Sequence, residues 1–322
     1  MSTDLVLRKA YIFLRDARDW IIATWFFAFI GFLKLFSTDF AINMTERFAR
    51  GLGMLYPRTK LARTNLKLAF PEKSDEEIEN ILRDMWGNLG RTAAEYIYLD
   101  KMFDFDAENP ENGRVEIVGG EHFEKLRDTK GAAVCFTAHT GNWEILPVGA
   151  AAVGVNITAL FRPPNNRFIA KHVLAARTTS MGHTVPSKAG ASWALANVLE
   201  DGGKVGLLVD QFFHRGTLVD FLGRETLANP LLAKLTRQYD CPVFPARTIR
   251  LPNGRFRLEI EAPIDVPYLP NGRVDVDKLT AKVNEVVEGW VREYPEQWLW
   301  LHKRWRPEFM KNWHEQKQKK RR

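Results

Sequence analysis

The chain has 322 residues, 45% of them hydrophobic, and a formal net charge of +7, which is typical of a globular protein with one large domain or two small ones. Its two cysteines, Cys135 and Cys241, lie in apolar stretches without the spacing of metal ligands. This argues against a thiolate metal site and favours a reduced, cytosolic compartment.

The N-terminal segment is unusually apolar. Residues 1–19 alternate apolar and charged side chains and predict an amphipathic helix, whereas residues 20–33 are almost wholly apolar. The apolar run reaches Phe36 if Lys34 extends its ammonium group towards water. These residues span about 21–26 Å as a helix, against a hydrocarbon core of roughly 30 Å. We predict that residues 1–37 anchor the chain to a membrane, as a short span or by interfacial insertion; a buried core helix is the alternative.

The next region, residues 38–110, is predicted to be helical. Its clearest helix covers residues 74–99, because Ser74 and Glu77 form a capping box ahead of apolar residues at helical spacing. Residues 100–113 are acidic and contain proline and glycine, which indicates a linker.

Strand and helix patterns alternate through residues 111–306. Strands are predicted at residues 115–118, 132–137, 155–160, 204–210, 243–250 and 255–261. Helices are predicted at residues 144–153, 168–181, 191–200, 230–239 and 276–294. This alternation predicts an α/β fold with a mostly parallel central sheet flanked by helices.

Residues 307–322 form a basic C-terminal tail. Residues 302–322 carry nine Lys or Arg against two Glu, so this end accounts for the whole net charge. Such a tail is suited to anionic lipid headgroups, an acidic carrier protein or nucleic acid, although a solvated, disordered end explains the last six residues equally simply.

The densest polar chemistry lies between the strand at 132–137 and the helix at 144–153. Active sites of open α/β sheets lie at such junctions. His139 and Glu144 would not share one helix face, so they meet only if His139 lies in the turn and Glu144 in the first helical turn. That arrangement suits a general base and the carboxylate that orients it. Free amides at the helix start would also stabilise an oxyanion. The alternative is a structural histidine beside a surface glutamate.

Two other predicted strands end in charged residues. Arg162 follows the strand at 155–160 in a proline-stiffened loop, where it either binds phosphate or forms a surface salt bridge. Asp210 ends the strand at 204–210, where it either fixes a loop or binds substrate.

Several common catalytic motifs are absent from the sequence. It has no G-x-S-x-G, no phosphate-binding or dinucleotide-binding glycine motif and no H-E-x-x-H, and its seven histidines lack metal-ligand spacing. No metal or nucleotide cofactor is therefore predicted. The remaining chemistry is direct attack by a substrate hydroxyl, activated by His139, on the carbonyl of a donor.

Together these stretches resemble the lipid A late acyltransferases, the lauroyl and myristoyl enzymes of lipopolysaccharide biosynthesis, within the wider H-x4-D/E glycerolipid acyltransferase superfamily. Besides the apolar N-terminal segment, the matching pieces are NLKLAFP (65–71), HTGNWE (139–144), FRP (161–163), DQ (210–211), FLG (221–223), PEQWLW (295–300) and KRWR (303–306). Each piece is short, and their order along the chain makes the set specific.

The resemblance implies transfer of a fatty acyl chain from an acyl carrier protein thioester to a hydroxyl of a lipid A precursor, at the cytoplasmic face of the cell inner membrane. It implies His139 as the base and Glu144 as its partner, although aspartate is usual in the wider superfamily. Arg162 would hold substrate phosphate, and Asn142 and Asp210 join it as substrate-binding candidates. No cofactor is required, because a thioester is already activated.

Other functions stay open at this point. The same motifs fit an acyltransferase that acts on another membrane lipid, such as a glycolipid or an aminolipid. A non-catalytic, membrane-associated scaffold with the same fold is a second alternative. Nucleic acid is not among the predicted partners.

Overall fold

The computed structural model describes residues 3–106, 108–109, 111–180 and 182–319. The last residue of the helix predicted at 168–181 and the final three residues of the basic tail lie outside the described residues.

Helices occupy the first third of the chain: α1 (Thr3–Leu33), α2 (Thr38–Leu52), α3 (Thr59–Ala69), α4 (Asp75–Glu95) and α5 (Leu99–Met102). The single helix α1 covers both the amphipathic and the apolar stretch predicted near the N-terminus. The capping box predicted for α4 is confirmed, because the Ser74 hydroxyl accepts from the Glu77 backbone N–H and the Glu77 carboxylate accepts from the Ser74 backbone N–H. Among the described residues, the structure contains no helix whose length and hydropathy would carry it across a membrane.

Strands and helices alternate through the rest of the chain. In order they are β1 (Val115–Val118), α6 (Gly120–Asp128), β2 (Ala133–Thr137), α7 (Ile145–Ala152), β3 (Ile157–Phe161), α8 (Arg167–Ser180), β4 (His183–Pro186), α9 (Ala191–Glu200), β5 (Lys204–Leu208), β6 (Phe212–Phe221), β7 (Arg224–Ala228), α10 (Leu231–Tyr239), β8 (Val243–Arg250), β9 (Phe256–Ile260), α11 (Val276–Glu293) and α12 (Pro307–Lys319).

The central sheet has the strand order β1-β9-β8-β2-β5-β3-β4. Every neighbouring pair in it is parallel except β8 and β9. The predicted α/β class with a mostly parallel sheet is therefore confirmed. The elements that were not predicted include the four-residue edge strand β4, the polar helix α6, the separate antiparallel hairpin β6–β7 and the helix α12 within the predicted tail.

The middle strand β2 is buried along its first four residues. Its alternate side chains enter two hydrophobic clusters. Val134 and Phe136 share one cluster with α3, α4 and α11, whereas Ala133 and Cys135 share the other with α6 and α7. The helices of the first third thus pack directly against the sheet.

The turn after β2 requires glycine at position 141. Gly141 has φ +56°, and a Cβ there would lie 2.1 Å from the carbonyl oxygen of Thr248 in β8. Its backbone N–H donates to the carbonyl oxygen of Gln297 at 3.0 Å. The close approach holds the turn against two neighbouring segments and fixes where the next side chains lie.

Candidate active site

His139 is held by the buried carboxylate of Asp210, which follows the neighbouring strand β5. Its ring Nδ1 lies 2.8 Å from Asp210 Oδ1, and its backbone N–H donates to Asp210 Oδ2 at 2.9 Å. Trp298 Nε1 also donates to Oδ2, at 2.8 Å. Because a carboxylate only accepts, the proton of a neutral His139 ring is on Nδ1, and Nε2 is free to accept another proton.

His139 and Asp210 each favour the charged form of the other. Burial opposes a charged imidazole, but the Asp210 carboxylate, its hydrogen bond and the nearby charge of Glu144 outweigh it and raise the pKa of His139. Burial likewise opposes a charged Asp210, yet the imidazole and the His139 backbone N–H hold the pKa of that carboxyl well below its usual range. Asp210 is therefore ionised at neutral pH.

The expected partner of the ring, Glu144, is not the carboxylate on Nδ1; Asp210 is. Glu144 precedes the first residue of α7, and its Oε1 accepts a hydrogen bond from Trp143 Nε1 at 3.0 Å. Its charge acts on His139 through space. The physical reason is topological: β5 runs parallel to β2, so the residues that follow the two strands meet at one sheet edge.

The two other polar residues predicted at this edge, Asn142 and Asp210, lie in the interior. Asn142 is fully buried; its Nδ2 donates to Glu95 Oε2 at 2.8 Å and its Oδ1 accepts from the Glu144 backbone N–H at 3.1 Å. It ties the turn to α4 and offers no exposed amide to a substrate. Asp210 is buried as well, and its carboxylate accepts from the ring and backbone of His139.

A cavity of ≈ 290 Å³ opens beside the imidazole. His139, Trp143, Glu144 and Arg162 contribute its polar lining. Apolar side chains of α6, α7 and the sheet line the rest of it, among them Phe123, Leu126, Cys135, Leu146, Ala150 and Ile260. Arg162 is exposed in the loop after β3, as predicted, and the structure brings it to the same cavity as His139.

Three residues for which no separate role was predicted lie at the site of His139 in the structure. Trp298 donates to Asp210, Gln211 Nε2 lies 3.5 Å from His139 Nε2, and the ring of His302 lies 5.2 Å from that of His139. Two of them fall within the matching pieces DQ and PEQWLW, but only the fold brings these pieces together. Within the described ranges, no cluster of His, Cys, Asp and Glu could hold a metal ion.

Comparison with known proteins shows the family of the chain. The family model described as bacterial lipid A biosynthesis acyltransferase matches residues 9–307. The chain belongs to this family. Lipid A biosynthesis acyltransferase 2 of Shigella flexneri is 24% identical over 287 residues, which cover 87% of this chain and 88% of that protein. A lipid A biosynthesis acyltransferase of Haemophilus influenzae is 23% identical over 248 residues, covering 74% and 73% of the two chains. The protein is therefore an acyltransferase.

The pairing of His139 with Asp210 can be tested without substrate. In Asp210→Asn we expect a lower pKa of His139 than in the wild type, because the carboxylate charge is lost while an oxygen acceptor remains. Glu144→Gln should lower the same pKa by less, since Glu144 acts only through space. NMR titration of the imidazole resonances measures both, with the exposed His183 as an internal reference. A larger shift in Glu144→Gln than in Asp210→Asn would contradict the assignment of Asp210.

Proposed function

We propose that this acyltransferase moves a fatty acyl chain from an acyl carrier protein thioester to a hydroxyl of a lipid A precursor, with His139 as general base. One observation carries the proposal: an imidazole fixed on Nδ1 by a buried carboxylate lies, with Nε2 free to accept a proton, beside a mainly apolar cavity. A proton acceptor next to a space for a hydrocarbon chain is what acyl transfer to an alcohol requires.

In this mechanism His139 Nε2 takes the proton of the acceptor hydroxyl as its oxygen attacks the thioester carbonyl. The resulting imidazolium is stabilised by the Asp210 carboxylate at 2.8 Å, which itself stays ionised. Glu144 adds a second negative charge close to the ring. When the tetrahedral intermediate collapses, the C–S bond breaks and the departing thiolate takes the proton back from Nε2.

The acceptor's phosphate group is assigned to Arg162. This side chain is exposed at the same cavity as His139, and a guanidinium binds phosphate oxygens through two parallel hydrogen bonds. Phosphate bound there would hold the acceptor close to the base.

Loss of the base should abolish turnover. His139→Ala is expected to lower kcat roughly 10²–10⁴-fold, the contribution of a general base. Transfer of a radiolabelled acyl chain from acyl carrier protein to a purified lipid A precursor measures kcat.

In the wild type, kcat/KM should fall as the pH falls through the raised pKa of His139, because the base must be neutral. In Asp210→Asn this fall should begin at a lower pH.

The control is His183→Ala, an exposed histidine of β4 far along the sheet order from β2, which should keep wild-type activity. Acylation of a glycolipid or an aminolipid in place of the lipid A precursor would overturn the proposed acceptor. Equal use of a coenzyme A thioester would overturn the proposed donor. An active His139→Ala enzyme would remove the mechanism.

Arg162→Ala should raise the KM for a phosphorylated lipid A precursor and leave the KM for the thioester donor unchanged. A charge-assisted hydrogen bond is worth about 1.5–3 kcal/mol, which corresponds to a rise of roughly 10–150-fold. Arg215→Ala, an exposed arginine on the β6–β7 hairpin, serves as the control. If a dephosphorylated acceptor shows the same rise, Arg162 does not bind the phosphate.

The apolar cavity is proposed to hold the acyl chain of the donor. Ala150 is buried on α7 and lines the cavity, so Ala150→Leu should shorten the space that the chain can fill. We expect a preference for shorter chains and a loss of kcat/KM for the wild-type chain of roughly 5–150-fold, from an overpacking cost of about 1–3 kcal/mol. Competition among thioesters of different chain lengths measures this. Ala151→Leu adds the same side chain at the exposed neighbouring position and should keep the wild-type preference.

Attachment to the inner membrane is proposed to run through α1 and α2. Leu33 is buried, and Phe27 packs on His172, which fixes one side of α1 to the protein. Large apolar side chains stay exposed elsewhere on these two helices: Trp20, Ile21, Ile22, Trp25, Phe29, Phe32, Phe40 and Phe48. Exposed aromatic surface of this extent is typical of an interfacial membrane contact.

Trp25→Ser with Phe29→Ser should weaken binding to vesicles of phosphatidylethanolamine and phosphatidylglycerol. The reason is the loss of two aromatic side chains that are 73% and 50% exposed. Flotation of the full chain with vesicles is the measurement. Trp193→Ser removes a 77% exposed tryptophan from α9 and should leave flotation unchanged. Equal loss in both variants would mean that α1 is not the membrane contact.

A further inference from the structure

Gln211 lies between two imidazoles. Its Nε2 is 3.2 Å from His302 Nε2 and 3.5 Å from His139 Nε2. Gln211 follows Asp210 directly and is exposed, so its side chain is open to solvent beside His139.

His302 is itself held in place through its backbone. Its carbonyl oxygen accepts from Asn65 Nδ2 at 2.8 Å and from the Arg304 backbone N–H at 2.9 Å. This fixes the segment after Trp300 against α3. The His302 ring therefore approaches Gln211 from a rigid support.

Protonation states determine which end of the Gln211 amide faces the rings. Asp210 accepts a hydrogen bond from the Nδ1–H group of neutral His139, so Nε2 of His139 is an acceptor. Burial lowers the pKa of His302 to about 4, with further lowering by Arg58 and by His139 when that ring is protonated and an opposing effect of Asp210, so His302 is neutral at pH 7. Because an amide nitrogen only donates, the neutral His302 ring accepts at Nε2 and carries its proton on Nδ1. The two acceptor nitrogens then match the two N–H groups of Gln211.

We propose that Gln211 is a catalytic hydrogen-bond donor to the oxyanion of the tetrahedral intermediate, and that His302 is the positioning residue that keeps its amide nitrogen turned towards the reacting atoms. This inference rests on the proposed acyl transfer and adds a function for two residues to it. As the acceptor oxygen bonds to the carbonyl carbon, the carbonyl π electrons move to oxygen and the hydroxyl proton moves to His139 Nε2. On collapse the C=O bond re-forms and the thiolate leaves with that proton.

The distances suit this role. An acceptor hydroxyl that hydrogen-bonds to His139 Nε2 lies about 2.8 Å from it. The Gln211 nitrogen is 3.5 Å from the same Nε2. The hydroxyl then displaces the weak contact between Gln211 and His139, and the freed N–H points to the carbonyl oxygen under attack. The contact to His302 at 3.2 Å remains and prevents the amide from rotating away.

The test is steady-state acyl transfer by Gln211→Leu. We expect kcat to fall roughly 10²–10³-fold, the effect of removing one oxyanion donor, with the KM for the thioester nearly unchanged. Gln238→Leu removes an exposed glutamine of α10 and should behave as the wild type. A Gln211→Leu enzyme with wild-type kcat, or one whose defect lies wholly in KM, would overturn the proposal.

His302 is tested by rescue. His302→Phe should lower kcat because no acceptor holds the amide, and His302→Gln, whose Oε1 is an acceptor at a similar distance from the backbone, should recover most of it. In ¹⁵N-histidine NMR spectra, the His302 Nε2 resonance of Gln211→Leu should be shifted from its position in the wild type, whereas the resonances of His183 should not move. If His302→Phe and His302→Gln are equally impaired, or if the resonance does not move, His302 does not position Gln211.

Failure of this inference can be distinguished from failure of the proposed function. Hydrolysis of the acyl thioester without a lipid acceptor passes through the same kind of oxyanion, with water as the nucleophile. If the wild type does not acylate the lipid A precursor but hydrolyses the thioester, and Gln211→Leu slows that hydrolysis 10²–10³-fold, only the acceptor assignment fails. If the variant hydrolyses the thioester at the wild-type rate, the role of Gln211 fails. Absence of any thioester cleavage by the wild type would overturn both.

Discussion

The architecture around the site depends on one buried charge, the carboxylate of Asp210. Removing an ionised carboxylate from water costs several kcal/mol unless donors replace the lost hydration. Here the replacement is a backbone N–H and a ring N–H, both from His139, and the indole N–H of Trp298. These donors come from two segments that are distant in sequence, so the carboxylate is stable only when β5, the turn after β2 and the segment at Trp298 have assembled. The same three bonds fix the tautomer of the base.

The turn that carries His139 is held between its neighbours by main-chain hydrogen bonds. Val209 N–H donates to Thr137 O at 3.1 Å, and Leu299 N–H donates to His139 O at 3.0 Å. On the same side, the Gln297 amide exchanges hydrogen bonds with the main chain of Arg250, at 2.8 and 3.0 Å. Residues 297–299 thus form hydrogen bonds with both the turn after β2 and the end of β8. A loop with so many fixed backbone groups supplies the preorganisation that electrostatic catalysis requires.

Local patterns predicted the local features of this protein. Helix α4 follows from its capping box, the helix at α11 from its apolar spacing, and the strand–turn–helix at His139 from an apolar run that ends in polar residues. Pairing across the sheet has no local signal. Asp210 is 71 residues from His139, so the nearest acidic residue in sequence, Glu144, was the natural but wrong choice for the carboxylate on Nδ1. The hairpin β6–β7 also lacks a clear local signal. Its register is irregular between Phe212 and Thr217, and its apolar and polar residues do not alternate cleanly.

The base and the cavity meet because β2 separates two differently packed halves of the interior. On the side of Val134 and Phe136 the sheet meets large side chains of α4 and α11, including Leu82 and Trp290, and this half is filled. On the other side the cavity lining includes small residues: Ala159, Gly206 and Ala246 from the sheet and Ala150 from α7. Side chains this short cannot fill the distance between a helix and a sheet, so a cavity remains where a uniform core would have closed it. Since β2 forms one wall of that cavity and the turn after it carries His139, an apolar chain bound in it would reach the surface beside the imidazole.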